Sequence, residues 1–245
     1  MGKIRTSRGD LKFKSRILYL GIKQIDREQA LENLKEVYSV ISKTKLHWGP
    51  IFGTLLGIVR ENNFIEWDED IDLYIKEEEE ELFKDTLWDL KALGFEIIRY
   101  ERRGLYSIMK RGEYIDFYVL KKISPTLRHA GGWEFIFDKY ITDTVIHDFK
   151  GIRFEIPREY DEFLTFHYGD WRTPVKWANY QMNPFQKFKA KAIFYIKNNI
   201  PDFMYYHLID RYHRKDLEKF KQKCIKKGCP IEDGVKLDYK RRLRK

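Results

Sequence analysis

Apolar residues recur every three or four positions in five segments of the chain, which is the period of a helix with one buried face. The first segment follows Asp26, with Gln29 three residues on, a pair typical of a helix N-terminus. The second opens on five consecutive glutamates, Glu77–Glu81, whose charge suits the positive end of a helix dipole, so we interpret them as a helix start and not as metal ligands. The predicted helices cover residues 27–41, 77–90, 158–167, 184–197 and 216–227.

Alternation of apolar and polar residues predicts strands between these helices. Glycine-containing turns at residues 102–104 and 111–112 indicate hairpins, and so does the Lys150-Gly151 pair. The predicted strands cover residues 70–75, 95–100, 105–110 and 114–120, with two more inside 144–156. Together the segments predict an α/β (α+β) fold with a mixed, mostly antiparallel sheet flanked by helices and a helical C-terminal region.

Three aspartates stand on the predicted strands. Asp70 and Asp72 are two residues apart, so they share one face of a strand, where two carboxylates repel each other unless a cation lies between them. A solvated acidic edge is the alternative, but Mg²⁺ is commonly held by such carboxylates together with substrate phosphates. Asp116 is the one acid in an apolar strand, where a buried carboxylate needs an ion pair, hydrogen bonds or a metal. The residues alone leave open whether Asp116 pairs with an arginine or is a third metal ligand.

A glycine-threonine pair and an arginine precede the acids. We interpret Gly53-Thr54 as a turn whose backbone can approach a phosphate closely. Arg60 is a candidate clamp for a phosphate, with an ion pair to Glu66 or Asp68 as the alternative.

Composition and charge limit the classes of partner and the cellular compartment that we expect. The 245 residues carry a net charge of +9, which suits a nucleotide, a nucleic acid or an acidic membrane surface. The two cysteines, Cys224 and Cys229, form no disulfide framework, and no apolar run is long enough to span a bilayer. We therefore expect a cytoplasmic protein, either free or peripheral at the inner face of the membrane. Basic residues in Lys219–Lys227 and Lys240–Lys245 suit docking on anionic lipid.

Two blocks of the sequence resemble a known family. Residues 53–60, read as Gly-Thr-Leu-Leu-Gly-Ile-Val-Arg, and 64–72, read as Phe-Ile-Glu-Trp-Asp-Glu-Asp-Ile-Asp, resemble the signature of the LicD/fukutin-related family. That family lies in the nucleotidyltransferase (DNA polymerase β-like) superfamily. Ile156-Pro157 and residues 168–174 resemble its second block, so the likeness covers roughly residues 30–175.

The resemblance implies a metal-dependent phosphotransferase. Such an enzyme would move a substituted phosphate (phosphocholine or similar, or a polyol phosphate) from a CDP-linked donor to a hydroxyl of a cell-surface glycan or its lipid-linked precursor, releasing CMP. Asp70, Asp72 and Asp116 would be the catalytic residues and would bind Mg²⁺ or Mn²⁺, with Asp116 either a ligand or the general base. The residues expected to bind substrate are Gly53, Thr54, Gly57, Arg60, Trp67 and Asp170. Trp67 is expected in the core, with a wall of the site as the alternative.

The chain is expected to have two parts. The resemblance implies that residues 1–175 form a nucleotidyltransferase-like catalytic core with an N-terminal helical extension. Residues 176–245 carry no such resemblance, but their many lysines and aromatic residues predict a basic helical region packed on or appended to the core. Two other functions stay open. One is a nucleotidyltransferase that moves a nucleoside monophosphate from a nucleoside triphosphate to a small molecule, RNA or protein. The other is a non-enzymatic basic module that binds nucleic acid or membrane, whereas no nucleic-acid partner is expected for the phosphotransferase.

Overall fold

The computed structural model describes residues 2–18, 24–131, 134–174, 183–229, 231–232, 235 and 237. These residues fall into two compact units. The first comprises residues 2–16, 24–120 and 139–174, and the second comprises 17–18, 121–131, 134–138 and the described residues from 183 onward. The elements form a mixed α/β architecture rich in antiparallel pairs with a helical C-terminal region, which confirms the predicted fold class.

Eleven strands and seven α-helices make up the described part of the chain. The strands are β1 (Gly2–Thr6), β2 (Gly9–Phe13), β3 (Trp48–Pro50), β4 (Ile71–Lys76), β5 (Glu96–Glu101), β6 (Leu105–Lys110), β7 (Glu113–Lys122), β8 (Leu127–His129), β9 (Phe135–Phe137), β10 (Thr144–Phe149) and β11 (Ile152–Pro157). The helices are α1 (Arg27–Ile41), α2 (Phe52–Glu61), α3 (Glu80–Ala92), α4 (Lys139–Thr142), α5 (Tyr160–Tyr168), α6 (Pro184–Asn199) and α7 (Asp202–Lys226). A 3₁₀ turn, Glu77–Glu79, precedes α3.

The first unit is built on a sheet with the strand order β3-β4-β7-β6-β5. Its neighbouring strands are antiparallel except β4 and β7, which run parallel. A parallel pair needs a crossover, and here α3 and the β5–β6 hairpin supply it between the end of β4 and the start of β7. The register of this pair sets Asp72 beside Asp116.

Apolar residues cover one face of the sheet in the first unit. Ile71, Leu73 and Ile75 of β4 are fully buried, as are the core residues of α1 and α3. The ring of Phe83 in α3 lies 4.6 Å from that of Phe117 in β7, measured between centroids. This packing holds the parallel pair of strands from the side of the crossover.

Local signals in the sequence account for several element boundaries. The carboxylate of Asp26 caps α1 by accepting hydrogen bonds from the N–H groups of Glu28 and Gln29, at 3.2 and 3.1 Å. Gly94 follows α3 with a φ of +91°, a conformation that favours glycine. Lys150 and Gly151 both have positive φ and join β10 to β11, as predicted.

The structure differs from the predicted elements in several places. The short elements β3, β8, β9 and α4 were not predicted. Residues 2–13 form the β1–β2 hairpin and residues 52–61 form α2, and neither element was predicted. Helix α7 begins at Asp202 and not at Asp216, because its buried residues recur at every third or fourth position between long polar side chains. The basic tail, 239–245, lies outside the described residues.

The second unit contains the end of β7, the β8–β9 hairpin and helices α6 and α7. Lys121 of β7 pairs with His129 of β8, and β8 pairs with β9. Phe220 of α7 packs against Phe135 of β9, with ring centroids 5.3 Å apart. In the described part of the chain, no helix combines the length and the apolar character that crossing a bilayer requires.

Candidate metal centre

Three aspartates meet at the parallel pair of strands in the first unit. Asp72 of β4 lies beside Asp116 of β7 in the register, and Asp70 immediately precedes β4 on the same face as Asp72. One carboxylate oxygen from each residue lies within 4.8 Å of the others. Among the described residues, this is the one group of three or more histidine, cysteine or acidic side chains with such spacing. We call Asp70, Asp72 and Asp116 the acidic triad.

Burial makes the acidic triad electrostatically costly. Asp116 has no exposed surface, and Asp70 and Asp72 expose only 7% and 9% of theirs. Loss of solvation raises the pKa of Asp70 and of Asp72 well above the usual aspartate range, and repulsion from neighbouring carboxylates raises both further. The Oδ1 atom of Asp116 is buried and has no hydrogen-bond partner among the described residues. Crowded carboxylates with an unused oxygen fit Mg²⁺ or Mn²⁺, which prefer oxygen ligands.

Arg99 of β5 compensates part of this charge. Its guanidinium forms a buried ion pair with Oδ2 of Asp116, and its Nε donates a hydrogen bond of 2.7 Å to Oγ of Ser107. The pairing of strands explains the alignment, since Arg99 lies opposite Ser107 and Ser107 lies opposite Asp116. The ion pair with an arginine, one of the two alternatives that the sequence left open for Asp116, is therefore present. Ligation of a metal by the other oxygen stays a prediction. Sequence reasoning missed Arg99, although an arginine inside an apolar strand was a signal for a buried partner.

Gly53 and Thr54 lie in the first turn of α2, so the expected glycine-threonine turn is in fact a helix start. Thr54 is buried, and its hydroxyl accepts a hydrogen bond of 2.8 Å from the N–H of Asp72. The N–H of Ile51 donates to the carbonyl of Asp72 at 3.0 Å. These two bonds fix the start of α2 against the part of β4 that carries the acidic triad. The first N–H groups of a helix lack acceptors inside the helix and favour anions.

Asp68 lies directly against Gly53. A Cβ added to Gly53 would overlap Oδ2 of Asp68, so an alanine here would force that carboxylate to shift. Burial raises the pKa of Asp68 to about 6, while a hydrogen bond from the N–H of Glu69 lowers it in part. Burial, followed by repulsion from Asp68, also raises the pKa of Glu69. The acidic triad is therefore bordered by two further carboxylates that raise the local negative charge.

A strained residue begins α2. Phe52 has a φ of +52°, which a bulky side chain adopts at a cost of about 1–2 kcal/mol. Its ring contacts the ring of Tyr118 edge to face, with centroids 5.2 Å apart, and the side chain of Tyr118 is hydrogen-bonded to Asp72. Strained backbone is concentrated at functional sites, and here it borders the acidic triad.

Gly57 and Trp67 lie in settings that differ from one another. Gly57 is buried, and a Cβ there would lie 2.6 Å from the carbonyl oxygen of Asn63, so its small size lets the following loop pack on α2. Trp67 exposes 54% of its surface, so the expectation that it lies in the core was wrong. The loop between α2 and β4 carries it on the outside of the fold, between the acidic residues Glu66 and Asp68.

Arg60 and Asp170 are both engaged with neighbours in the chain. Arg60 forms an ion pair with Glu61 at 2.6 Å and donates a hydrogen bond of 3.1 Å to the carbonyl of Trp171. Its partner is thus neither of the two acids that the sequence suggested. Asp170 is exposed and accepts a hydrogen bond of 2.7 Å from the hydroxyl of Thr173. A role in binding substrate stays a prediction for all six residues outside the acidic triad.

Two sequence relatives match this chain over only part of its length and part of their own. The chain is 29% identical to an uncharacterized protein of Rickettsia typhi over 45% of this chain and 33% of that protein. It is 30% identical to an uncharacterized protein of Rickettsia prowazekii over 36% of this chain and 32% of that protein. The chain therefore spans about a third of the length of these curated relatives.

Solved structures with a similar arrangement include two antibiotic-modifying enzymes. The lincosamide antibiotic adenylyltransferase LnuA is 12% identical with a TM-score of 0.40, covering 67% of this chain and 96% of its own. The antibiotic-resistance factor ANT(2'')-Ia is 13% identical with a TM-score of 0.42, covering 79% and 98%. Because both TM-scores are below 0.5, these structures do not assign the chain to a family.

The family assignment rests on the sequence. Residues 51–186 match the family described as LicD/FKTN/FKRP, nucleotidyltransferase domain, and the chain belongs to this family.

Proposed function

We propose that this chain transfers a substituted phosphate from a CDP-linked donor to a hydroxyl of a cell-surface glycan or its lipid-linked precursor, releasing CMP. Membership of the family supports a transferase that uses a nucleotide-linked donor. The observation that carries the proposal is the acidic triad, set by the parallel register of β4 and β7 beside the first turn of α2.

The charge of the site argues for a metal-dependent reaction. A pyrophosphate group approaching Asp68, Glu69 and the acidic triad would be repelled, since all five side chains are acidic. Asp70, Asp72 and Asp116 would hold a divalent cation, which would offset this repulsion and supply Lewis-acid polarisation and charge neutralisation at the pyrophosphate. The raised pKa of Asp70 and Asp72 means that such binding also displaces protons from the site.

The chain's own residues have separate tasks in this proposal. Asp70 and Asp72 supply ligand oxygens from one strand, and Asp116 supplies Oδ1 from the next. We assign Asp116 to ligation, because it has no exposed surface through which an acceptor hydroxyl could reach it and its Oδ2 is held by Arg99. The N–H groups at the start of α2 bind donor phosphate.

A donor panel tests the proposed function. The purified chain is incubated with Mg²⁺ or Mn²⁺, with a glycan that supplies acceptor hydroxyls, and with CDP-choline, CDP-ethanolamine, CDP-ribitol or CDP-glycerol, while nucleoside triphosphates form the comparison set. We expect release of CMP from at least one CDP-linked donor, abolished by EDTA and by Asp70→Asn. Asp10→Asn is the matched control, because Asp10 is an exposed acid of the β1–β2 hairpin that pairs with Lys3. Pyrophosphate released from a triphosphate, with no CMP from any CDP-linked donor, would replace the proposal with nucleotidyl transfer.

A further inference from the structure

Helix α6 presents its largest apolar side chains to solvent. Phe185, Phe188 and Tyr195 expose 74%, 70% and 73% of their surfaces. Phe188, Tyr195 and Ile196 lie three, ten and eleven positions after Phe185, so the four residues share one side of the helix. No residue of α6 is buried, whereas large apolar side chains are normally removed from water when a helix folds. This side of α6 is an exposed apolar stripe of the kind that marks an interaction surface.

All the charged residues of α6 are basic. The helix contains four lysines and no aspartate or glutamate. Lys187 and Lys191 are exposed and lie one turn apart, and Lys189 flanks the apolar stripe on the other side. A cationic helix with an aromatic apolar face is typical of a segment that lies in the interface of a membrane.

Helix α7 continues the same combination of side chains. Met204, Leu208 and Tyr212 are exposed and recur every four residues, so they form an apolar stripe on its first half. Further along the same side, at helical spacing, stand Lys215 and Lys219, which line a shallow depression together with Glu218, Gln222 and three further lysines. The buried residues of α7, such as Ile209 and Leu217, occupy the opposite side. Apolar and basic surface are thus combined on both helices.

We propose that α6 and the first half of α7 form a membrane-docking surface for an anionic lipid bilayer. The aromatic side chains of α6 enter the boundary between headgroups and acyl chains, and the lysines contact the lipid phosphates. The absence of any acidic residue from α6 favours an anionic surface over a protein of mixed charge. The surface differs from the one that the sequence suggested, since α6 lies outside both basic segments named there. It also goes beyond the proposed function, because binding to lipid requires neither donor nor metal.

Co-sedimentation with vesicles tests this inference on the whole chain. Vesicles of phosphatidylcholine alone are compared with vesicles that contain phosphatidylglycerol, in the presence of EDTA and without any donor. We expect binding to the anionic vesicles that weakens as salt rises, because the Debye length falls from about 10 Å at 0.1 M to about 3 Å at 1 M. The double variant Phe188→Ser/Tyr195→Ser should bind about tenfold more weakly or worse, and so should Lys187→Gln/Lys191→Gln.

The control is Ile146→Ser, which removes an apolar side chain that is 58% exposed on β10 in the first unit. It should bind vesicles as the unchanged chain does, and circular dichroism should show equal helix content for all variants. Wild-type affinity in the Phe188→Ser/Tyr195→Ser variant would overturn the inference, as would equal binding to neutral and anionic vesicles. A dimer that the same variant dissociates, with no vesicle binding by the unchanged chain, would reassign the surface to an interface between protein copies. Loss of CMP release with intact vesicle binding would instead count against the proposed function alone.

Discussion

Replacement of Asp72 by asparagine changes the charge of the acidic triad and little else. The two side chains are nearly the same size, and the amide oxygen of asparagine still accepts the hydrogen bond from Tyr118. Asp72 also repels its neighbours, because ligand oxygens of the triad lie within 4.8 Å of one another. We therefore expect Asp72→Asn to make the metal-free chain more stable while it removes metal binding and turnover.

The expected gain in stability of Asp72→Asn follows from the distance between the carboxylate oxygens of the acidic triad. Two unit charges 4.8 Å apart repel by about 3.5 kcal/mol at an effective dielectric constant of about 20. Protonation already relieves part of this repulsion in the metal-free chain, so we expect a net gain of about 2 kcal/mol, or about 4–8 °C in melting temperature. The unchanged chain should instead gain about 2.7 kcal/mol from a divalent ion at a hundredfold excess over its Kd, and the variant should gain almost nothing.

The same reasoning fixes the sign of the pH dependence. The pKa of Asp72 is raised in the folded state, so the folded chain holds a proton that the unfolded chain has released above its ordinary pKa of 3.8. The free energy of unfolding of the metal-free chain therefore falls as the pH rises from about 4 through the raised pKa. Asp72→Asn should flatten this fall, because the position no longer titrates.

Thermal melting in EDTA and in excess Mg²⁺ or Mn²⁺, from pH 4 to pH 8, measures the stability of the metal-free chain, the stabilisation by the ion and the pH dependence. Asp10→Asn is the control, since its exposed ion pair should change stability by less than about 0.5 kcal/mol. If metal-free Asp72→Asn melts below the unchanged chain, or if the ion stabilises both equally, the assignment of the acidic triad as a metal site is refuted.

Three further substitutions test other parts of the site. Arg99→Met leaves Asp116 buried without its ion pair and should cost about 3–5 kcal/mol in urea unfolding; adding Asp116→Asn should recover much of the loss, and a single variant as stable as the unchanged chain would contradict the pairing. Gly53→Ala sets a methyl group against the carboxylate of Asp68 and should lower CMP release about tenfold or more, with little change in melting temperature. Full activity of this variant would exclude a close approach of the donor phosphate to Gly53. Thr54→Val removes the acceptor of the Asp72 N–H and should cost about 1–3 kcal/mol, whereas Thr54→Ser should retain most of the stability; equal losses would show that the hydroxyl is not the important group.

The sequence predicted the acidic triad because its physical signature is local. Two aspartates on one face of a strand repel each other, and a lone aspartate in an apolar strand is costly to bury. Each pattern therefore indicates that a partner offsets this free-energy cost. The meeting of the three aspartates was implied by the family resemblance and could not be derived from the residues alone. It depends on the parallel register of β4 with β7 across a crossover of about 40 residues, and pairing at that distance is set by the packing of α3 and the hairpin.

Tertiary packing also explains what the sequence did not predict. Gly53 and Gly57 lower helix propensity, so residues 52–61 did not suggest a helix. In the structure Gly57 admits the backbone of Asn63, and Thr54 bonds to β4, so packing outweighs propensity. Arg99 was missed for a related reason, since its partner lies two strands away in the sheet.

Diffraction from crystals soaked with Mn²⁺ and CMP, recorded near the manganese absorption edge, tests the central claim most directly. The account predicts an anomalous peak in direct contact with carboxylate oxygens of Asp70, Asp72 and Asp116, with the CMP phosphate near the start of α2. A peak on other acids, such as the Glu77–Glu81 run, with none at the acidic triad, would contradict it.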